Sequence, residues 1–195
     1  MRPLRSRKTQ ARDPSAMIKP VAHRLLLLRH CEAAPPAGGD MSTKADLARP
    51  LTDTGHRMAR QRGESMRKAG LIPDLVLCSP AMRTRQTYAG LLPFGNNARP
   101  EIRIEPTLYL AAPDELLARL RATPDSVHTI LLVGHNPGLP ALARYLNGVE
   151  VALESDFELG TLATFNVEVE ERETIALAWK SLGPKTAWLE SFSQN

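Results

Sequence analysis

Two arginines and two histidines stand out because each lies where an apolar run stops. "LLLLRH" ends in Arg29 and His30, and "LVLCSP" ends in Cys78, Ser79 and Pro80, with Arg83 one helical turn further on. "ILLVGHNP" ends in Gly134, His135, Asn136 and Pro137. A buried strand does not need such groups at its exit. Brought to one edge, they suit a phosphoryl group. Guanidinium forks grip phosphate oxygens in pairs, and helix N-termini following Ser79 and Pro137 would add backbone donors and positive partial charge. One of the two imidazoles could then attack phosphorus as a nucleophile.

For that chemistry the three segments must arrive side by side. The continuous apolar runs "HRLLLLRH", "PDLVLCSP" and "HTILLVGH" read as fully buried strands. Between and around them the 3.6-residue pattern predicts helices in "LTDTGHRMARQRGESMRKAG", capped near Thr52 or Asp53 and stopped at Gly70, in "AMRTRQTYAGLL", in "PDELLARLRA" with Pro113 in its first turn, and in "PGLPALARYLNG", ended by Gly148. "EIRIEP" reads as a short strand and "CEAAPPAGGDMSTKADLARP" as a turn-rich loop. "GTLATFNVEVE" and "TIALAWKSLGP" alternate like the two arms of a hairpin. Alternating strands and helices imply an α/β fold of three layers, a mostly parallel central sheet covered on both faces, with antiparallel strands added late. Ligands of such sheets sit beyond the carboxyl ends of the strands, which is where the charged groups are.

Length and composition fit one domain. At 195 residues, 43% hydrophobic and 24% charged, the chain can bury a core without staples. No apolar run approaches the roughly 18 residues that span a bilayer, so no membrane partner is expected. Two cysteines, Cys31 and Cys78, make no disulfide framework, which points to a reducing cytoplasm. Both lie near strand exits; a redox pair is conceivable, and burial as unreactive thiols is the reading taken.

The net charge of +4 comes from one end. Residues 1–20 carry six basic groups and one acid; without them the totals of 25 and 21 become 19 and 20. A basic tail could touch nucleic acid or anionic lipid, but the expectation here is a solvated, disordered extension over residues 1–20, a single domain over residues 21–195, and no nucleic-acid partner.

The motifs resemble those of the histidine phosphatase superfamily, the group that includes phosphoglycerate mutases and acid phosphatases. "RHCEA" is similar to its R-H-G-E-A motif, "RPLTDTG" to its P-L-T-x-x-G segment, "SPAMRTRQT" to its S-x-x-x-R-A-x-Q-T segment and "VGHNP" to its second-histidine motif. All four occur in the family's order between Arg24 and Leu182, and the short chain looks closest to SixA-like phosphohistidine phosphatases. The resemblance implies a phosphoglycerate mutase-like fold and a metal-independent phosphatase. It makes His30 the nucleophile, and Arg29, Arg83 and His135 the clamp around the phosphoryl group, with Ser79 and Asn136 beside it. No cofactor or metal is implied, because the cationic side chains supply the charge an ion would. The expected partner is a phosphorylated protein or small phosphorylated substrate; the sequence sets no oligomeric state. A small-molecule phosphomonoesterase and a non-catalytic phosphoryl-binding module are the alternatives.

Two departures from the family pattern matter. Cys31 stands where the family has glycine, whose backbone freedom or slimness a side chain lacks. Larger relatives place a glutamic acid after the third strand to protonate the leaving group, and here that position is Leu110, with Glu105, nearby in another register, the weaker candidate for a substitute acid. Other groups receive plainer readings. Ser79 is expected to cap its helix or donate one hydrogen bond, Asn136 to cap the next helix or line the pocket, and Glu32 to orient the pocket or remain a solvated loop acid. His23, His56 and His128 have surface or packing roles, and Arg49, Arg57, Arg60 and Arg62 read as a solvated helix surface.

Overall fold

The computed structural model describes residues 23–95, 98–148, 157–167, 171–172, 175–176 and 178–194; the basic extension over residues 1–20 lies outside them. The strands are β1 (His23–Arg29), β2 (Leu75–Cys78), β3 (Glu101–Ile104), β4 (Thr129–Gly134), β5 (Leu162–Val167), β6 (Glu171–Arg172), β7 (Ile175–Ala176) and β8 (Ala187–Ser193). The α-helices are α1 (Thr43–Leu47), α2 (Asp53–Lys68), α3 (Met82–Leu91), α4 (Pro113–Arg121) and α5 (Gly138–Asn147).

Six strands form one sheet in the order β3-β2-β4-β1-β5-β8. Pairings among β1 to β4 are parallel, and β5 joins β1 and β8 antiparallel. Successive strand residues point to opposite faces, and the apolar runs feed both. Leu25, Leu27, Leu75, Leu77, Ile130 and Leu132 pack with α4 and α5, while Leu26, Leu28, Val76, Cys78, Leu131 and Val133 pack with Met66 of α2 and Leu91 of α3. Two buried faces explain why these strands read as unbroken apolar runs rather than alternating ones.

The late hairpin takes a different form from the one expected. β5, in the first expected arm, finds its outer partner in β8, from the segment "AWLESFS", while β7, in the second, pairs with β6, which lies between the two arms. In the second arm Trp179 is fully buried and donates its indole N–H to the Val127 carbonyl, so burial of the ring decided that segment's path. The loop after β1 also holds more order than its turn residues suggested. Ser42 caps α1, accepting from the Ala45 N–H at 3.2 Å.

Helix α2 overturns one surface assignment. Gly55, Ala59, Arg62, Gly63 and Met66 share its buried stripe. Arg57 and Arg60 do face solvent. The Arg62 guanidinium, however, is buried and donates to the Gly160 carbonyl at 3.0 Å and to the Ser193 hydroxyl and carbonyl at 2.5 and 2.9 Å. It ties α2 to the start of β5 and the end of β8. His23 has a packing role, its ring set edge-on to Trp179 and hydrogen-bonded to the Asp125 carbonyl.

Candidate active site

Register brings the chemistry together. Arg29 pairs with Gly134 across the β1–β4 ladder, and Cys78 with Val133 across β2–β4. Both ladders run on past the strands: the His30 N–H donates to the Gly134 carbonyl and the Ser79 N–H to the Val133 carbonyl, each at 3.1 Å. His30, Ser79 and His135 are therefore neighbours at the carboxyl edge, although 105 positions separate the first from the last.

His30 is oriented from behind. Its Nδ1 lies 2.7 Å from the Cys31 carbonyl oxygen, which can only accept, so Nδ1 carries the proton and Nε2 keeps a free lone pair. Burial lowers the imidazole pKa to about 4; the Cys31 carbonyl opposes this, and the guanidiniums of Arg83, Arg29 and Arg49 reinforce it. The ring is thus neutral at physiological pH. It stands 5.3 Å from His135, edge to face.

His135 is buried, its Nε2 2.7 Å from the Ser79 hydroxyl and its Nδ1 3.5 Å from an Arg83 NH₂ group. Burial, then Arg83 and His30, lower its pKa to about 3, against a weaker opposing pull from Asp46. Ser79 therefore does not cap α3, whose N-cap is Ala81 and has no side-chain bond; its hydroxyl serves His135. Asn136 does not cap α5 either. It donates to the Phe157 carbonyl at 3.0 Å, and the Arg29 guanidinium donates to the same carbonyl.

Arg83 is the most constrained of the four. Only 3% exposed, it donates to the Asp46 carbonyl at 2.7 Å and to Asp46 Oδ2 at 2.9 Å. Asp46 was hidden in the loop reading. Its carboxylate also accepts from the Tyr109 hydroxyl at 2.5 Å and from Arg49 at 2.9 Å. Partial burial would raise its pKa, but the bonds from Tyr109, Arg49 and Arg83 outweigh that and hold it well below the usual carboxylate range. Arg49 consequently belongs to the site's surroundings and not to a solvated helix.

The remaining motif residues hold this frame. Gln86 accepts from the Leu51 N–H, and Thr87 Oγ1 accepts from the Cys31 N–H at 3.0 Å while donating to the Arg83 carbonyl at 2.7 Å. Glu32 is no free loop acid, since it accepts from the Thr52 hydroxyl at 2.5 Å. At Gly55 a Cβ would lie 2.0 Å from the Glu32 carbonyl oxygen, so only glycine lets α2 start against the loop behind His30. Glu105 is occupied elsewhere, in a two-pronged pair with Arg119 at 2.6 and 2.7 Å. This disposes of it as a hidden proton donor. Leu110, 51% exposed with φ 49°, lines a cavity of about 560 Å³ together with Asp46, Arg83 and Tyr109.

Cys31 needs no glycine-like backbone, since Leu110 and Lys185 are the only non-glycine residues with positive φ among the described residues. Its side chain is fully buried against Leu51 and Ala59, and burial raises its thiol pKa to about 11. Both cysteines are free and buried. Cys31→Gly is accordingly expected to cost about 2 kcal/mol, from lost packing and added chain entropy. A denaturation midpoint equal to that of the parent protein would contradict this.

A family model described as "Histidine phosphatase superfamily (branch 1)" matches residues 25–108. The match contains Arg29, His30 and Arg83, but not His135. A structure of the candidate phosphohistidine phosphatase SixA of Nakamurella multipartitia is 31% identical, covers 89% of this chain and 96% of its own, and superposes with a TM-score of 0.70. The chain belongs to the histidine phosphatase superfamily. As a histidine phosphatase it is a hydrolase of phosphoryl groups with the phosphoglycerate mutase-like fold. Its likeness extends to a candidate SixA of Agrobacterium tumefaciens, 27% identical over 89% of this chain and 98% of that one, with a TM-score of 0.72. An uncharacterized chloroplastic protein of Arabidopsis thaliana is 32% identical over 162 residues, 78% of this chain and 71% of that protein. No helix among the described residues is long and apolar enough to cross a membrane.

Neutral His30 gives the histidine phosphatase site a definite pH response. Were His30 the nucleophile, the attacking form would be the unprotonated ring, so kcat/KM corrected for substrate ionisation should stay level down to about pH 5 and fall as the ring protonates near its pKa of about 4. A falling limb centred at about 6.5, the ordinary histidine value, would contradict this. The unfolded chain binds these protons more readily than the fold does, so stability should be full above about pH 6.5 and decline toward pH 4.

Proposed function

We propose that this protein removes phosphoryl groups from phosphohistidine on another protein, without a metal, through a phosphohistidine intermediate on His30. The observation that carries the reading is the bond from His30 Nδ1 to the Cys31 carbonyl, which leaves a neutral ring with Nε2 free beside the buried Arg83 and His135. In the first step the Nε2 lone pair attacks phosphorus and the leaving group departs on the opposite side. Arg29 and Arg83 offset the charge spread over the phosphoryl oxygens. Ser79 assists through His135: its hydroxyl can donate to Nε2 as well as accept from it, so it suits the tautomer that carries its proton on Nδ1, which offers a donor on the Arg83 side. Water then attacks the phosphorus of phosphorylated His30; the P–N electron pair returns to Nε2, Nδ1 keeps its proton, and the protons of the water leave with inorganic phosphate or to solvent.

Three features support phosphohistidine over an ester. Leu110 replaces the acid that an alkoxide leaving group would need, Glu105 is committed to Arg119, and the cavity sets Pro35, Pro36, Met41 and Leu110 beside its charged groups, which suits a residue displayed on a protein surface. The SixA structures named above are described as phosphohistidine phosphatases. Two free, buried cysteines fit a cytoplasmic setting.

The test is steady-state kinetics at matched pH on three leaving groups. Phosphohistidine is expected to be best, nitrophenyl phosphate intermediate, and phosphoserine or a sugar phosphate poorest by about 10²–10⁴-fold, the usual worth of an absent general acid. Equal or faster turnover of the alkyl esters would contradict the reading, as would activity lost to a chelator and restored by a divalent ion.

A further inference from the structure

We infer that Asp46 selects the leaving group: its carboxylate accepts the N–H of the phosphorylated imidazole, at the ring nitrogen that does not carry phosphorus. The inference rests on the reading of His30 as nucleophile and of phosphohistidine as substrate.

Position comes first. Among the described residues lining the cavity at the mouth of the site, Asp46 is the only acid. Arg83 separates two regions, with one NH₂ group 2.9 Å from Asp46 Oδ2 and 3.5 Å from His135 Nδ1. The cavity lies on the Asp46 side, and neither His30 nor His135 lines it. A phosphoryl group gripped by Arg83 and attacked from His30 must send its leaving group into that mouth.

Capacity comes second. A carboxylate offers about four lone-pair sites. Arg83 and Tyr109 use Oδ2 and Arg49 uses Oδ1, which leaves one site on Oδ1. The side chain is 26% exposed and so can be reached.

Charge decides the role. The groups facing Asp46 are Arg49 beyond the end of its own helix, Arg83 from α3 and Tyr109 after β3, with His135 behind Arg83. Together they keep the carboxylate ionised at any working pH. An ionised Asp46 has no proton to give, so it does not replace the missing acid at position 110. It can instead hold a positive charge. A phosphoimidazole protonated at its far nitrogen is an imidazolium; when the P–N bond breaks, the electron pair goes to the departing nitrogen and the proton stays where it was. A neutral imidazole leaves, and no proton need be supplied during the step. An alkoxide gains negative charge on leaving and has no such N–H, so the same carboxylate opposes it. One residue thus favours P–N cleavage and disfavours P–O cleavage.

The experiment compares phosphoimidazole with nitrophenyl phosphate on the full chain and on Asp46→Asn, from about pH 5 to pH 9. Both rates should fall in the variant, because Arg83 loses part of its anchor. The ratio of phosphoimidazole to nitrophenyl phosphate in kcat/KM should fall further, by about tenfold or more, as for a lost hydrogen bond to a charged group. The alkaline limb for phosphoimidazole should also move to lower pH. Equal losses on the two substrates with an unmoved limb would show that Asp46 only positions Arg83 and would overturn the inference. A second measurement needs no variant. N-methyl phosphoimidazolium keeps the charge but has no N–H, so its enzymatic acceleration over its own uncatalysed hydrolysis should be about tenfold or more below that of phosphoimidazole; equal accelerations would overturn the hydrogen bond. The unaltered protein's own substrate preference separately tests the reading beneath: no advantage for phosphoimidazole would remove both.

Discussion

Replacement of His30 by alanine is expected to lower turnover by about 10⁵-fold or more, because a covalent route loses the atom on which it runs. On the proposed route the expectation holds for every substrate class, since each would pass through the same nitrogen. Structure should survive. His30 stands just past the end of β1 and its Nδ1 bond goes to the adjacent Cys31 carbonyl, so the change in stability should be about 1 kcal/mol. Native-like circular dichroism with turnover within tenfold of the unaltered protein would move the nucleophile elsewhere. His135 would be the next candidate, being the other imidazole at this edge.

Arg83→Gln should reduce kcat/KM by about 10³-fold on all substrates alike, the scale of removing a preorganised donor from a charged transition state. The reasoning differs from that for His30. A buried guanidinium that already spans Asp46 and His135 is held in place before substrate arrives, so little reorganisation is needed when charge develops on the phosphoryl oxygens. Glutamine keeps a donor but loses the charge and the fork. The loss should not depend on the leaving group, in contrast to the effect expected at Asp46. A loss confined to one substrate class would mean that Arg83 recognises the leaving group and not the phosphoryl group.

Much of the frame was legible in the sequence, for physical reasons that can be named. Strands buried on both faces read as "LLLL", "LVLC" and "ILLV", and their parallel register carried Arg29, His30, Ser79 and His135 to one edge. Thr52, Gly70 and Gly148 marked helix ends because capping and left-handed turns are local properties. Position along a helix was also informative. Arg62 lies three residues after Ala59 and four before Met66, on the buried stripe, yet a charged residue among other arginines reads as surface until its partners are known. Those partners, Gly160 and Ser193, are 98 and 131 residues away.

The same distance problem hid Asp46 and Tyr109. Neither lies in one of the four motifs, and the bonds that Asp46 accepts from Arg83 and Tyr109 join the loop after β1, α3 and the turn after β3. Ser42 before "TKADL" was the only local signal for α1, a capping residue ahead of a short helical run. The role of Ser79 was equally non-local, since its hydroxyl had a local use as a cap and a distant one at His135. Cys31 misled in the opposite sense. A departure from glycine suggested a disturbed pocket, while the side chain in fact fills a space between Leu51 and Ala59.

The central claim is that His30 carries the phosphoryl group during turnover, and trapping that species tests it most directly. The protein mixed with excess phosphohistidine or nitrophenyl phosphate, quenched within the first turnover in alkali and digested, should yield a peptide phosphorylated on His30, with a linkage stable to base and labile to acid. A phosphoryl group recovered on Ser79, Cys31 or His135, or a first turnover that releases phosphate with no phosphorylated peptide at any quench time, would contradict the account.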